Sequence, residues 1–91
     1  MSEYIDIQPE TTDDPDMMVL ITNLELTQER EHYATHAEGD EGSALAQALF
    51  AVPGLASATL HGSELTVRRE PDVEWHALIE DLTDALRDFF L

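Results

Sequence analysis

Two histidines, His32 and His36, lie four positions apart within EHYATHAEGDE, the carboxylate-rich segment of residues 31–41. On a helix, residues at this spacing share one face, and two imidazoles so placed can bind one metal ion together. In a strand, which rises roughly 3.3 Å per residue, the same side chains lie about 13 Å apart, which is too far for one coordination sphere. The secondary structure of this segment therefore decides whether it is a metal site.

Acidic pairs and isolated serines are the other groups that could take part in catalysis. A pair such as Asp13-Asp14 would need unequal environments within a cleft to supply an acid and a base. A chain with twenty acidic residues forms such pairs by composition alone. Ser43 and Ser63 fit a helix cap and a turn, and neither has a base near it in sequence. We therefore predict that the domain is not an enzyme.

Cysteine is absent from all 91 residues. Its absence excludes disulfides, thiolate catalysis and any cysteine-ligated metal site made by this chain alone. A chain of this length suits one small domain, which buries only about 60 to 65 percent of the surface that its unfolded form exposes. We therefore expect no large enclosed active site and no resident cofactor.

The charge of the chain is strongly one-sided. Twenty Asp and Glu residues stand against four Arg and no Lys, for a formal net charge of −16. A negative field of this size repels phosphate groups, so binding to nucleic acid or to an anionic membrane is not expected. Two explanations of the charge stay open: adaptation to a high-salt cytoplasm, and an acidic docking surface for a basic partner.

The hydropathy of the chain indicates a soluble protein. No run approaches the roughly 20 apolar residues that span a bilayer. The acidic N-terminal stretch also lacks the basic start and apolar segment of a signal peptide. We therefore expect a cytoplasmic location, while the oligomeric state cannot be predicted.

The N-terminal half divides into an acidic stretch and two strand candidates. Residues 1–16 contain few apolar side chains, which predicts a flexible acidic arm, with a short edge strand around Tyr4, Ile5 and Ile7 as the alternative. Residues 17–24, MMVLITNL, form an apolar, β-branched run typical of a core strand. Residues 30–37 are ambiguous, because their propensities divide between helix and strand.

The C-terminal half has clearer signals. Ser43 is placed to cap a short helix that stops before Pro53 and Gly54. In residues 55–70, apolar and polar side chains alternate on both sides of a Gly-Ser pair. This pattern predicts a β-hairpin with Gly62 at the first central position of a type II′ turn. After Pro71, the apolar positions keep a helical period as far as Phe89.

These elements predict an α+β domain over residues 17–91, following the arm of residues 1–16. Their order would be β-β-α-β-β-α. Packing both helices on one face of a mainly antiparallel four-stranded sheet would bury every apolar stripe, so we predict a two-layer sandwich.

Four exposed positions are candidates for contact with a partner. Arg68 and Arg69 are half of the basic residues in the chain and would either neutralise neighbouring acids or form a patch for an acidic partner. His61 lies beside the hairpin turn. Phe90 belongs to an apolar C-terminal tip, Phe89 to Leu91, that one helical stripe cannot bury completely.

Three segments carry a resemblance to a known family. The helix SALAQALFAVPGL at residues 43–55, the strand ELTVRRE at 64–70 and the helix EWHALIEDLTDALRDFF at 74–90 resemble the N-terminal domain of Nfu/NifU-type iron-sulfur scaffold proteins in order and spacing. The similarity covers roughly residues 17–91 and is stronger from residue 43 onward. The chain departs from the family in its acidic arm and in having ELTQERE where the family carries a Pro-Asn-Pro turn.

The resemblance implies a function without a catalytic site. In these scaffold proteins the cluster is bound by a separate C-terminal domain with a Cys-x-x-Cys motif, and no such motif occurs here. The resemblance thus implies an interaction module that docks an iron-sulfur scaffold or a recipient protein. It also implies a strand before the first helix, which would separate His32 from His36. The alternative function is a metal-binding protein that uses these two histidines and nearby acidic residues.

Overall fold

The computed structural model describes residues 5–90 of the chain. This part contains five strands and three helices, which in chain order are β1 (Ile7–Thr11), β2 (Met17–Thr22), β3 (Glu31–Tyr33), α1 (His36–Asp40), α2 (Ala44–Phe50), β4 (Leu55–His61), β5 (Glu64–Arg69) and α3 (Trp75–Phe90). All strands join one sheet in the order β1-β2-β5-β4-β3, and every neighbouring pair is antiparallel. The structure is α+β with an antiparallel sheet, as the sequence predicts.

The β4-β5 hairpin has the predicted register. Leu60 pairs with Leu65, and His61 pairs with Glu64 across the turn. Gly62 adopts φ of +63°, and no residue other than glycine has a positive φ in the described range. A type II′ turn requires a positive φ at its first central residue alone, so Gly62 supplies the conformation that the turn needs.

The predicted number of strands is wrong, because β1 adds a fifth strand within residues 1–16. It pairs with β2 from Ile7 opposite Thr22 to Thr11 opposite Met18. Only Ile7 is half-buried, and the other four side chains of the strand are exposed. Backbone hydrogen bonds therefore hold this edge strand, and an edge position also tolerates Pro9. Tyr4 lies outside the described residues, and the division into an arm and a domain at residue 17 stays a prediction.

The predicted strand at residues 30–37 is correct only for its first half. β3 ends at Tyr33, and Thr35 caps the N-terminus of α1, a helix that the sequence did not predict. The Thr35 hydroxyl accepts a hydrogen bond from the Glu38 N–H, and the Glu38 carboxylate accepts one from the Ala34 N–H. This reciprocal capping fixes the start of a helix. The element order is therefore β-β-β-α-α-β-β-α.

The core lies on one face of the sheet. Leu20, Leu65 and Leu60 stand side by side on β2, β5 and β4, and all three are fully buried. Apolar side chains of α2 and α3 join the same cluster, which comprises Met18, Leu20, Leu26, Leu45, Leu49, Phe50, Val52, Leu55, Ala58, Leu60, Leu65, Val67, Leu78, Leu82 and Leu86. Alternation along each strand directs the neighbouring side chains to the opposite face.

We expect Gly39→Ala to destabilise the domain, although alanine is the better helix former. Gly39 is buried in α1, and an added Cβ would overlap the ring of Phe50, which is itself buried. Overpacking lowers the free energy of unfolding by about 1 to 3 kcal/mol, whereas the higher helix propensity of alanine raises it by at most about 1 kcal/mol. Because the overpacking term is the larger of the two, urea unfolding should show a net loss of up to about 2 kcal/mol. Asp40→Ala, at the exposed next position, is the control and should cause no loss; equal stability of the two variants would contradict the packing argument.

Candidate functional site

The sheet has a second face that the core does not use. We call it the open face. Its central side chains belong to Met17, Val19, Ile21, Thr59, Thr66 and Arg68, and the registers place Glu10, Glu64 and His32 around them on the same face. Thr66 lies at its centre, opposite Val19 on β2 and Thr59 on β4. All six central residues are partly exposed. This face combines apolar and hydroxyl groups with no carboxylate at its centre, a composition suited to contact with another protein.

Two of the four predicted contact residues, Arg68 and His61, lie on the side of the open face. His61 is exposed next to the turn. Arg68 donates a hydrogen bond from Nη2 to Oδ2 of Asp14 at 2.9 Å. The side chain of Arg68 is 41% exposed and that of Asp14 is 39% exposed. The charge of Arg68 is therefore partly balanced by an acidic residue of the same domain, while its side chain stays accessible on the open face.

Arg69 points to the other side of the sheet and binds the loop of residues 14–16, which directly precedes β2. Its guanidinium donates to Asp16 Oδ1 at 3.1 Å and to the Val73 carbonyl at 2.9 Å, and its Cζ lies 5.5 Å from the centre of the Trp75 ring. Trp75 in turn donates its indole N–H to the Pro15 carbonyl at 2.8 Å. The two arginines therefore neutralise nearby acids, which was one of the two interpretations of their position.

Phe90 is separate from the other three predicted contact residues. It ends α3 with 36% of its surface exposed, and its ring meets that of Phe89, 43% exposed, in an edge-to-face contact at 5.1 Å. Leu91 lies outside the described residues. The four positions thus do not converge on one site: Arg68 and His61 lie by the open face, Arg69 packs against Trp75, and Phe90 lies at the end of α3.

His32 and His36 do not share a helix face. His32 lies on β3, where its Nδ1 is 2.7 Å from the Thr59 hydroxyl. His36 is the first residue of α1 and packs edge-on against Phe50, with ring centres 5.3 Å apart. No group of three or more His, Cys, Asp or Glu side chains that could hold a metal ion occurs between residues 5 and 90. The geometry therefore gives no support to the metal-binding alternative.

Glu31 is the centre of a hydrogen-bond network that joins β3 to the start of α2. Its carboxylate accepts hydrogen bonds from the hydroxyls of Tyr33 and Thr27, and the Tyr33 oxygen accepts one from the backbone N–H of Ser43. The Tyr33 hydroxyl is the largest cause that lowers the pKa of Glu31; partial burial opposes it, and the Thr27 and Ser43 side chains add to the lowering. A pKa held below its usual range means that the folded state favours the ionised carboxylate.

This pKa shift predicts a pH dependence of stability. A lowered folded-state pKa contributes stability above the unfolded value, about 4.3 for Glu, and the contribution disappears as pH falls through the folded value. Glu31→Gln should therefore cost about 1 kcal/mol at pH 7, where the carboxylate accepts charge-assisted bonds at a partly exposed site. Urea unfolding should show this difference shrinking below about pH 4. Glu29→Gln, an exposed change of equal charge, should show neither effect, and a Glu31→Gln deficit constant down to pH 3 would contradict the role of ionised Glu31.

Asp14 is the other carboxyl group with a shifted pKa. The backbone N–H of Asp16 is the largest cause that lowers the pKa of Asp14; desolvation opposes it, and the hydrogen bond and charge of Arg68 add to the lowering. The loop of residues 14–16 is thus held by Arg68, Arg69 and Trp75. No part of this loop could be assigned from sequence, because its partners lie more than fifty positions away.

Comparison with protein families decides the class of the domain. The family model described as "Scaffold protein Nfu/NifU N terminal" matches residues 7–91. The chain belongs to this family. The match confirms the resemblance seen in the sequence, and because it begins at Ile7 it includes β1, which the resemblance from residue 17 had left out. Within residues 5–90, no helix of this Nfu/NifU N-terminal domain is long and apolar enough to cross a membrane.

Two solved structures have the same fold as this domain. The solution NMR structure of a NifU-like protein from Saccharomyces cerevisiae has a TM-score of 0.76 at 20% identity, covering 96% of this chain and 79% of that chain. The crystal structure of protein SAV1430 from Staphylococcus aureus has a TM-score of 0.68 at 16% identity, covering 88% of this chain and 96% of that chain. A search of the curated proteins found no match. At these identities the likeness shows the fold alone.

Proposed function

We propose that this Nfu/NifU N-terminal domain is a non-catalytic interaction module of iron-sulfur cluster assembly or delivery, which docks a cysteine-containing scaffold or a recipient protein. The observation that carries the proposal is the match of a scaffold-protein family to residues 7–91. The composition supports a role in docking and not in cluster binding, because this sequence has no cysteine. The thiolates that hold a cluster must therefore come from elsewhere.

The open face is the surface through which we propose that the partner docks. The two longer helices, α2 and α3, belong to the same buried cluster as the inward side of the sheet. In this proposal both helices cover that side, which leaves the open face free. Thr66 at its centre and Arg68 and His61 at its margin are the contacts that we assign to the partner.

A binding experiment with two matched variants tests this proposal. The purified chain is titrated by calorimetry with the Cys-x-x-Cys domain of an Nfu/NifU scaffold, both without its cluster and with it. Thr66→Lys places a charged side chain at the centre of the open face and should weaken binding at least tenfold. Gln47→Lys adds the same charge on an exposed position of α2 and should bind as the wild type does. Absence of binding to the scaffold domain both with and without its cluster, or equal binding by both variants, would overturn the proposal.

The proposal also predicts that the chain alone assembles no iron-sulfur cluster. It has no thiolate to supply, and its histidines are dispersed over β3, α1, the hairpin and α3. Anaerobic reconstitution with iron and sulfide, followed by visible absorbance after desalting, should show no cluster bands. A mixture with the Cys-x-x-Cys domain is the positive control. Stoichiometric uptake by the chain alone would mean that this domain is itself a cluster carrier.

A further inference from the structure

Helices α2 and α3 enclose an open depression of about 610 Å³ on the surface of the domain, which we call the helix groove. Its lining is mostly apolar and small, with Ala48 and Val52 from the α2 side and Ala85 from α3. Phe89 also lines the groove, and 43% of its surface is exposed. Small side chains let another backbone approach closely, and an exposed aromatic ring beside them offers a contact of large area.

Three aspartates line the groove on the α3 side. Asp81, Asp84 and Asp88 are all exposed, and their spacing of three and four residues places them along one stripe of the helix. Asp84 forms an exposed ion pair with Arg87 at 3.1 Å. Asp81 and Asp88 form no ion pair with any residue between 5 and 90. The groove thus has an apolar floor and a rim of negative charge that this chain neutralises only in part.

We propose that the helix groove binds an amphipathic, basic helix of a partner protein. An apolar stripe on that helix would cover the alanines and Phe89, while Lys or Arg residues beside the stripe would pair with the aspartate rim. At 1.5 Å per residue, the rim from Asp81 to Asp88 extends about 10 Å, which is two turns of an incoming helix. The negative rim repels phosphate groups, so the chemistry favours a basic protein segment over nucleic acid or anionic lipid.

The helix groove is formed by α2, the loop that follows it and α3, and it shares no residue with the open face. The inference therefore goes beyond the proposed function and does not depend on a role in iron-sulfur metabolism. If both proposals hold, the domain can hold two partners at once, one on each surface.

Binding of two synthetic peptides tests the groove. The first is a 14-residue helical peptide with leucines on one face and lysines beside them. The second has the same lysines but glutamine in place of every leucine. Fluorescence anisotropy in 0.15 M KCl should show the leucine peptide binding at least tenfold more tightly to the full chain. Absence of binding, or equal binding of the two peptides, would overturn the inference, because attraction between opposite net charges would then account for any association.

Variants of the chain locate the binding. Phe89→Ala and the double variant Asp81→Asn with Asp88→Asn should each weaken binding of the leucine peptide about tenfold. The control is Glu64→Gln with Asp72→Asn, which makes the same change in net charge at exposed positions outside the groove. It should bind within twofold of the wild type, and circular dichroism checks that all variants are folded. An equal loss in the control, or unchanged binding by folded groove variants, would overturn the inference while leaving the scaffold titration of the proposed function unaffected.

Discussion

Replacement of Leu65 by alanine is expected to lower the free energy of unfolding by about 3 to 5 kcal/mol. Leu65 is fully buried on β5, the central strand of the sheet, between Leu20 and Leu60. Because close-packed neighbours on a sheet relax only partly, the loss combines the transfer free energy of the deleted methyl groups with the cost of a cavity. In a domain of this size, each kcal/mol corresponds to about 4 to 8 °C in melting temperature.

Thr66→Ala is the matched control for this prediction. Thr66 is the next residue of the same strand, but its side chain lies half-exposed on the open face. Its loss should cost no more than about 1 kcal/mol, which is the span of strand propensity. Thermal and urea unfolding measure both variants. A loss for Leu65→Ala as small as that for Thr66→Ala would mean that the two faces of the sheet are assigned the wrong way round.

The second large effect expected is a rise of melting temperature with salt, by about 10 °C or more between 0.01 M and 1 M KCl. The chain carries a formal net charge of −16 within a radius of gyration of 12.0 Å. At 0.01 M salt the Debye length is about 30 Å, so nearly every carboxylate repels every other, whereas at 1 M it is about 3 Å. The unfolded chain is more expanded and repels itself less, so salt stabilises the folded state.

The identity of the cation separates screening from specific binding. Sodium and potassium chloride should raise the melting temperature alike, since the Debye length depends on ionic strength alone. The experiment also chooses between the two explanations of the acidic composition. A melting temperature that does not depend on salt would exclude the high-salt explanation and favour an acidic docking surface, of which the rim of the helix groove is an example.

The sequence predicts best the elements whose residues interact with near neighbours. Alternation on both sides of Gly62 predicted the register of the hairpin, and the period of α3 predicted the burial of Leu78, Leu82 and Leu86. Both are local patterns, and each has many apolar positions. The family resemblance rested on the same residues, which explains why it was stronger from residue 43 onward.

The elements that the sequence did not predict are stabilised in other ways. β1 is paired through its backbone and has only one half-buried side chain, so the sequence indicated an edge strand around Tyr4, Ile5 and Ile7 only as the alternative to a flexible arm. Gly39 weakens the helical signal of α1. Glycine is needed there because a side chain at this position would overlap the ring of Phe50, which only the packed structure shows. One local signal was available: Thr35 and Glu38 have the spacing of a capping box.

The candidate surfaces were predictable only in part. The sequence singled out Arg68 and Arg69, but their partners Asp14 and Asp16 are 54 and 53 positions away. The helix groove depends on how α2 and α3 pack together, and no pattern within either helix reveals it. The open face is of a kind that a sequence can indicate, because alternating apolar and polar residues in an antiparallel hairpin place one set of side chains in the core and the other in solvent.

The most direct test of the central claim, that this domain docks an iron-sulfur protein through the open face, is an NMR titration. The ¹⁵N-labelled chain is mixed with an unlabelled Nfu/NifU Cys-x-x-Cys domain, and amide shifts are followed to saturation. The account predicts saturable shift changes at Thr59, Thr66 and Arg68, with the amides of Ala48 and Ala85 in the helix groove unaffected. Unchanged amides throughout the open face at saturating scaffold would contradict it.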